Sequence, residues 1–183
     1  MAKIIINSED LLGPNATITQ AKELLKEHWK DGIICPCCRQ LVKLYERKLN
    51  SAMAYALILI YRHHQSEGSF GAYFHVEDYL KMLDISSTIR GDFPKLRHWE
   101  LLERKPAETE SRNADKDAVI PGYYRITPKG IQFVKNLRTV PRISLLYNDG
   151  FYGHKGPEVN INDALEDKFD YKELMNGVGK SEK

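Results

Sequence analysis

Residues 76–105 read VEDYLKMLDISSTIRGDFPKLRHWELLERK, and this stretch decides the fold. Its first part places apolar residues three and four positions apart, which is the spacing of one face of a helix. These residues are Val76, Tyr79, Leu80 and Leu83. The small polar residues at 84–91 then predict a turn. We therefore expect a short helix that is followed by a polar connection.

A second helix is predicted over residues 92–100. Asp92 is a suitable N-terminal cap, and Pro94 falls in the first turn, where proline is tolerated. The residues of this helix divide into an apolar face (Phe93, Leu96, Trp99) and polar residues that point elsewhere (Lys95, Arg97, His98). The stretch therefore predicts two helices joined by a turn, the second with basic side chains directed away from the core.

The flanking sequence extends this arrangement on both sides. Asn50-Ser51 caps an apolar helix, AMAYALILIYRHH, which predicts either a central core helix or a subunit interface, and hence a homodimer. Downstream, a polar loop at 105–121 precedes the strand GYYRIT and a helix that starts at Thr127-Pro128. The short run 72–75 alternates like a strand. Residues 51–138 thus read helix, strand, helix, turn, helix, strand, loop, strand, helix.

This order resembles that of winged helix-turn-helix proteins. Two local patterns carry the resemblance: the Trp-x-Leu-Leu step at 99–102, and PGYYRITPKGIQFV at 121–134. The resemblance implies a mainly α (α+β) protein with a winged-helix domain at 39–140. It leaves an N-terminal arm, helix and cysteine cluster at 1–38 and an irregular extension at 141–183. The whole chain also resembles uncharacterised bacterial and phage proteins that have an N-terminal cysteine cluster.

The charge distribution favours a polyanionic partner for the same region. The chain has 27 basic and 25 acidic residues, a net charge of only +2. Residues 35–140, however, carry 17 basic and 12 acidic residues, whereas both ends are slightly acidic. The positive excess therefore lies on the region that resembles a DNA-binding domain.

The resemblance assigns individual residues to a double-stranded DNA interface. Base contacts in the major groove are expected from Lys95, Arg97 and His98. Phosphate contacts are expected from Ser87, Thr88 and Arg90 in the turn and from Arg112 and Lys116 in the wing loop. The predicted function is sequence-specific DNA binding in transcriptional regulation. The alternative is a protein-interaction module, since the loop 105–121 carries four acidic and three basic residues, unlike a basic wing.

All three cysteines lie in the segment Cys35-Pro-Cys-Cys38. Cys35 and Cys38 form the C-x₂-C pair that presents two thiolates to a tetrahedral zinc ion, which needs two further N or S ligands. The candidates for these ligands are Cys37, His28, His154 or a second subunit. The alternatives are inert reduced thiols at a helix N-terminus and a redox pair. Zinc is therefore an expected cofactor only if the missing ligands exist.

Other features bear on location and chemistry. RQLVKLYERKLNS at 39–51 predicts a basic helix with Arg39, Lys43, Arg47 and Lys48 along it. The longest apolar run, Ala52 to Tyr61, has ten residues against the roughly 20 that span a bilayer. The N-terminus is not a secretory signal, so a cytoplasmic protein without a membrane partner is expected. Catalytic motifs are absent from the sequence, which predicts a protein that is not an enzyme.

Overall fold

In the computed structural model, residues 5–8, 11–107, 118–148 and 150–177 are described. Helices account for 44% and strands for 27% of the structure, and the described strands form three small sheets. The expectation of a mainly α protein is therefore wrong, and the fold is mixed α and β. None of the described helices has the length and apolar character to span a membrane.

The chain divides into two compact units. Unit 1 consists of residues 1–47 and 144–154, and unit 2 consists of residues 48–143 and 155–183. The segment 141–183, expected to be one extension, thus contributes to both units. The division falls within the strands β4 (Tyr45–Lys48), β8 (Val140–Tyr147) and β9 (Gly150–Val159), which form a sheet in the order β4-β8-β9.

Unit 1 combines one helix with a small sheet. The strands β1 (Ile6–Asn7), β2 (Ile33–Ile34) and β3 (Leu41–Val42) pair in the order β1-β2-β3, with β1 parallel and β3 antiparallel to β2. Helix α1 (Ile18–His28) is capped by Thr17, which forms a capping box with Gln20. A core of Ile33, Cys35 and Val42 is packed by partly buried apolar side chains, among them that of Trp29.

Unit 2 is built around α2 (Ser51–Glu67), which Asn50 caps through a 2.9 Å bond from the Met53 N–H. All residues from Met53 to Tyr61 are at most 8% exposed within the single chain. The apolar surface of α2 is therefore used by the core, and α2 does not provide the homodimer surface that was expected from it. The homodimer stays a prediction.

The elements that follow α2 lie in an order close to the expected one. They are β5 (Phe74–His75), α3 (Val76–Met82), α4 (Ser87–Asp92), a 3₁₀ helix (Phe93–Trp99), β6 (Leu102–Pro106), β7 (Val119–Ile126) and α5 (Pro128–Val134). The strands form an antiparallel sheet in the order β5-β7-β6. The predicted turn at 84–91 is wrong in its second half, because α4 begins at Ser87 rather than at Asp92.

Helix α5 packs unusually close to the end of β7. A Cβ atom built on Gly130 would lie 2.3 Å from the Leu101 carbonyl oxygen and 2.8 Å from a side-chain carbon of Ile126. The Thr127 side chain fixes the start of α5 by accepting the Gly130 N–H at 2.9 Å and donating to the Glu100 carbonyl at 2.6 Å. Glycine at position 130 is thus a steric requirement of this packing.

Two further expectations are wrong. Residues 39–51 do not form a basic helix, because Leu41–Val42 and Tyr45–Lys48 are the strands β3 and β4. The segment 141–183 is not irregular, because β8 and β9 are followed by α6 (Ile161–Leu165), a 3₁₀ turn (Glu166–Lys168) and α7 (Tyr171–Asn176). The Glu166 carboxylate pairs with Arg142 at 2.7 Å and with Lys48 at 3.2 Å, which ties this turn into unit 2.

Candidate nucleic-acid interface and cysteine turn

The connection between α3 and α4 places two small hydroxyl residues on the surface. Asp84 adopts a left-handed conformation (φ 56°), which aspartate tolerates better than most residues. The Ile85 N–H then bonds back to the Leu80 carbonyl at 3.0 Å. Ile85 and Ile89 are buried one helical turn apart, which turns Ser87 and Thr88 outward to solvent.

The three candidate cationic side chains of this region are half-buried and have partners within the chain. Arg90 donates from Nε to the Ile85 carbonyl at 3.0 Å. Lys95 forms an ion pair with Asp92, and Arg97 donates to the Pro94 carbonyl at 3.3 Å. Arg90 is thus held against the turn before α4, Lys95 against the last residue of α4, and Arg97 against its own 3₁₀ helix.

His98 lies in a different environment from the one expected. It is 7% exposed, so the expectation that it points toward DNA is wrong. The expectation assumed an α-helix, in which position 98 lies nearly opposite the row of Phe93, Leu96 and Trp99. Residues 93–99 form a 3₁₀ helix, and at three residues per turn position 98 lies only about 120° from that row. The neighbouring Trp99 is fully buried and donates to the Pro141 carbonyl at 2.6 Å.

The sheet of unit 2 carries a cluster that the sequence analysis missed. The Glu103 carboxylate accepts from Arg125 Nε at 2.9 Å and from the Tyr73 hydroxyl at 3.0 Å. The Arg125 guanidinium lies 4.6 Å from the Tyr73 ring centre, and Lys105 lies 5.5 Å from that of Tyr123. The signal was available, because Glu103 and Arg125 are opposed on antiparallel strands.

This cluster also changes the acidity of its members. Partial burial and then the bond to Glu103 raise the pKa of the Tyr73 hydroxyl above its usual range. The bond to Glu103 likewise raises the pKa of Arg125. Both groups therefore keep their protons at neutral pH, and the outer face of this sheet presents cations paired with one carboxylate. The wing residues Arg112 and Lys116 lie outside the described residues.

The cysteines of unit 1 form the turn between β2 and β3. The Cys35 N–H donates to the Gln40 carbonyl at 2.8 Å, and the Arg39 N–H donates to the Cys35 carbonyl at 3.0 Å. Arg39 closes the turn in a left-handed conformation (φ 61°). Cys35 is buried, whereas Cys37 and Cys38 are exposed, and all three are free thiols. The turn thus presents the C-x₂-C pair at the end of a hairpin rather than at a helix N-terminus.

The Cys35 thiol is more acidic than usual. Burial acts to raise its pKa, but hydrogen bonds from the backbone and from the side chains of Cys38 and Cys37 together outweigh burial, so that the pKa is lowered. Among the residues that the structure describes, no group of three histidine, cysteine or carboxylate side chains is arranged to hold a metal ion. His28 and His154 therefore do not complete a site with the cysteines, and the His154 ring instead lies 3.1 Å from the Ser144 hydroxyl.

Comparison of the chain with protein-family models, with curated proteins and with solved structures gives no match.

Proposed function

We propose that unit 2 contains a winged helix-turn-helix domain that binds double-stranded DNA sequence-specifically, as a transcriptional regulator. The observation that carries the proposal is the order of elements between α2 and β7. A helix is followed by a short strand, by two helices joined by a tight turn, and by two further strands that complete an antiparallel sheet of order β5-β7-β6. This is the arrangement that the resemblance implies for residues 51–138.

In this proposal α4 enters the major groove. It follows the turn after α3 and presents Ser87 and Thr88 to solvent, while Ile89 packs into the core. Side chains this short let the helix backbone approach the floor of a groove roughly 12 Å wide. Serine and threonine hydroxyls bond to bases or to phosphates, so both residues are assigned to the DNA interface.

The cations beside α4 supply the electrostatic attraction. A guanidinium has five N–H donors, and the bond from Arg90 to Ile85 uses only one. Arg90 can therefore support the turn and contact a phosphate at the same time. Lys95 and Arg97 are also assigned to DNA, and each must give up its bond within the chain to contact it. Contacts of the wing with DNA are still expected from Arg112 and Lys116. A cytoplasmic location, expected from the sequence, is part of the same proposal.

A protein-binding role is the second candidate. It is favoured by the internal pairing of Lys95 and Arg97 and by Met82, whose side chain is 75% exposed at the end of α3. An apolar side chain at that position suits a protein surface better than a DNA phosphate. In this alternative the same helices contact a protein partner, and the positive excess of residues 35–140 has no direct role.

The experiment measures binding of the full chain to a fluorescently labelled duplex of random sequence, by anisotropy, over a range of salt concentrations. Affinity should fall as salt rises, because each neutralised phosphate releases counterions. Thr88→Glu should weaken binding at least tenfold, because it places a carboxylate against the phosphates. Thr139→Glu is the matched control, since Thr139 is also exposed in unit 2 but lies after α5. Equal affinities for the two variants would refute the assignment of α4.

A further inference from the structure

The cysteine turn of unit 1 has the form of half a metal site. Its two strands are antiparallel, and the backbone bonds at Cys35 and Arg39 hold the turn closed without any crosslink. Cys35 and Cys38 are three residues apart in this turn, which is the spacing at which a tight turn directs two sulfurs to one ion. The hairpin therefore has the backbone arrangement of a two-thiol metal turn.

The described part of one chain does not supply the other half of the site. A structural zinc site has four protein ligands in a tetrahedron, almost always sulfur or nitrogen. The sequence has no cysteine outside residues 35–38, and the described residues hold no third histidine, cysteine or carboxylate positioned to join the pair. The missing sulfur or nitrogen ligands are therefore sought in another molecule.

We propose that two copies of this chain bind one zinc ion between them, each contributing the exposed Cys38 and also Cys35, which is buried in the single chain and turns its sulfur toward the shared ion. The four thiolates complete a tetrahedral site at the interface of a homodimer. Each thiol loses its proton as the metal binds, because only the thiolate is a ligand. The site is incomplete without the second copy, so metal binding and dimerisation occur together.

The exposed apolar surface supports a second copy as the occupant. Nine large apolar side chains are exposed among the described residues, and seven of them belong to unit 1, the smaller unit. These seven are Ile5, Leu11, Ile18, Leu41, Tyr45, Phe151 and Tyr152. A second copy that covered these side chains would remove apolar surface from water, which favours association.

Two of these side chains lie next to the turn. Leu41 is the first residue of β3, immediately after the turn, and is 38% exposed. Ile18 is 70% exposed and lines a cavity of about 270 Å³ together with Pro36 and Cys37 of the turn. A second copy held by the shared ion would lie against this surface, so that the metal and the apolar contacts stabilise the same dimer.

Cys37 is not a ligand in this proposal. It lies between the two ligands and is exposed, so it provides a matched control for the loss of a thiol. Cys37→Ser should leave metal binding and dimerisation unchanged. Cys35→Ser and Cys38→Ser should each remove two of the four thiolates of the shared site, because both copies carry the substitution.

The test uses the full chain, stripped of metal with a chelator and then titrated with zinc alone. The bound zinc is measured by mass spectrometry and the molecular mass by sedimentation. We expect half an equivalent of zinc per chain, a doubling of mass on zinc addition, and reversal by chelator. Cobalt(II) in place of zinc should give the absorption of a tetrathiolate site. The Cys38→Ser variant should stay monomeric and metal-free, with a circular dichroism spectrum like that of the wild type.

Several results would overturn the proposal. One equivalent of zinc on a monomer would show that a single chain completes the site. A dimer that persists in chelator would show that the metal does not bridge the copies, and a folded wild-type chain that takes up no zinc would leave no site at all. Because wild-type protein alone gives these three results, the proposal stays refutable even if the cysteine variants fail to fold. DNA binding by unit 2 is a separate question.

Discussion

Substitution of Gly130 by alanine is the sharpest test of how α5 packs. The new Cβ would lie 2.3 Å from the Leu101 carbonyl oxygen, about 1 Å inside a normal contact, and 2.8 Å from a carbon of Ile126. The first obstacle is backbone, so the helix itself must move. Overpacking of this kind costs typically about 1–3 kcal/mol, against roughly 1 kcal/mol gained by replacing glycine with alanine in a helix. We expect a net loss of about 2 kcal/mol in the free energy of unfolding. This value takes the upper end of the overpacking cost, because a backbone carbonyl cannot rotate away as a side chain can.

Gly91 provides the matched control for this substitution. It lies in α4, and a Cβ built on it has no atom within 4 Å. Gly91→Ala should therefore raise stability by up to about 1 kcal/mol, because only the helix propensity changes. Both variants replace a helical glycine by alanine, yet Gly130→Ala should lower the free energy of unfolding and Gly91→Ala should raise it.

The assay is urea unfolding of unit 2. Trp99 is fully buried in unit 2 and Trp29 belongs to unit 1, so a Trp29→Phe background makes fluorescence report unit 2 alone. A loss of about 2 kcal/mol corresponds to a fall in Tm of roughly 4–8 °C for a protein of this size. If Gly130→Ala is as stable as Gly91→Ala, then α5 does not pack as closely against Leu101, before β6, and against the end of β7 as the structure has it.

Two further predictions concern α2. The His64 ring is fully buried, and burial lowers the pKa of its imidazole. Its Nδ1 atom lies 2.9 Å from the Ser69 carbonyl oxygen, and its Nε2 atom accepts the Ile126 N–H. The unfolded chain therefore binds a proton more readily, so stability should fall as pH drops below about 6.5 toward the folded-state pKa of His64. Urea midpoints measured at several pH values should show a steeper loss of stability for wild type than for His64→Gln. Equal pH dependence of the two proteins would contradict a buried, neutral His64. Asn50→Ala should cost about 1 kcal/mol in unfolding free energy by removing the cap of α2, whereas Asn50→Ser should retain most of it.

The elements that could be predicted from the sequence are those set by short-range features, namely helix caps and the apolar face of a helix. Asn50 and Thr127 both cap the helices that were expected from them, because a cap depends on bonds within one turn. Helix α3 and its apolar face were also predicted correctly. These features need only a few consecutive residues to be determined.

Segment 39–51 shows why a helical spacing can mislead. Leu41, Leu44 and Tyr45 have the spacing of a helix face, yet Leu41 and Tyr45 are exposed by 38% and 57%. Val42 and Leu44 between them are buried instead, two positions apart, as in a strand. The strand pairing of β3 with β2 decided the structure, and it depends on residues that are distant in the sequence.

The start of α4 was missed for a different reason. Ser86, Ser87 and Thr88 are typical turn residues, and they were interpreted as a turn. Ile85, Ile89 and Phe93 are nevertheless spaced by four residues and all buried, so the helical pattern began before Asp92. The apolar spacing was the stronger signal. The cation partners of the DNA candidates depend on side-chain geometry, which no spacing rule gives.

The proposed function depends on α4 making sequence-specific contacts with double-stranded DNA. The most direct measurement is selection from a random duplex pool with the full chain, followed by sequencing of the bound fraction for wild type and for Thr88→Ala. We expect one recurrent motif for wild type and a changed or lost preference at one position of that motif for the variant. Recovery of unselected sequences by the wild type, or an identical motif for both proteins, would contradict it.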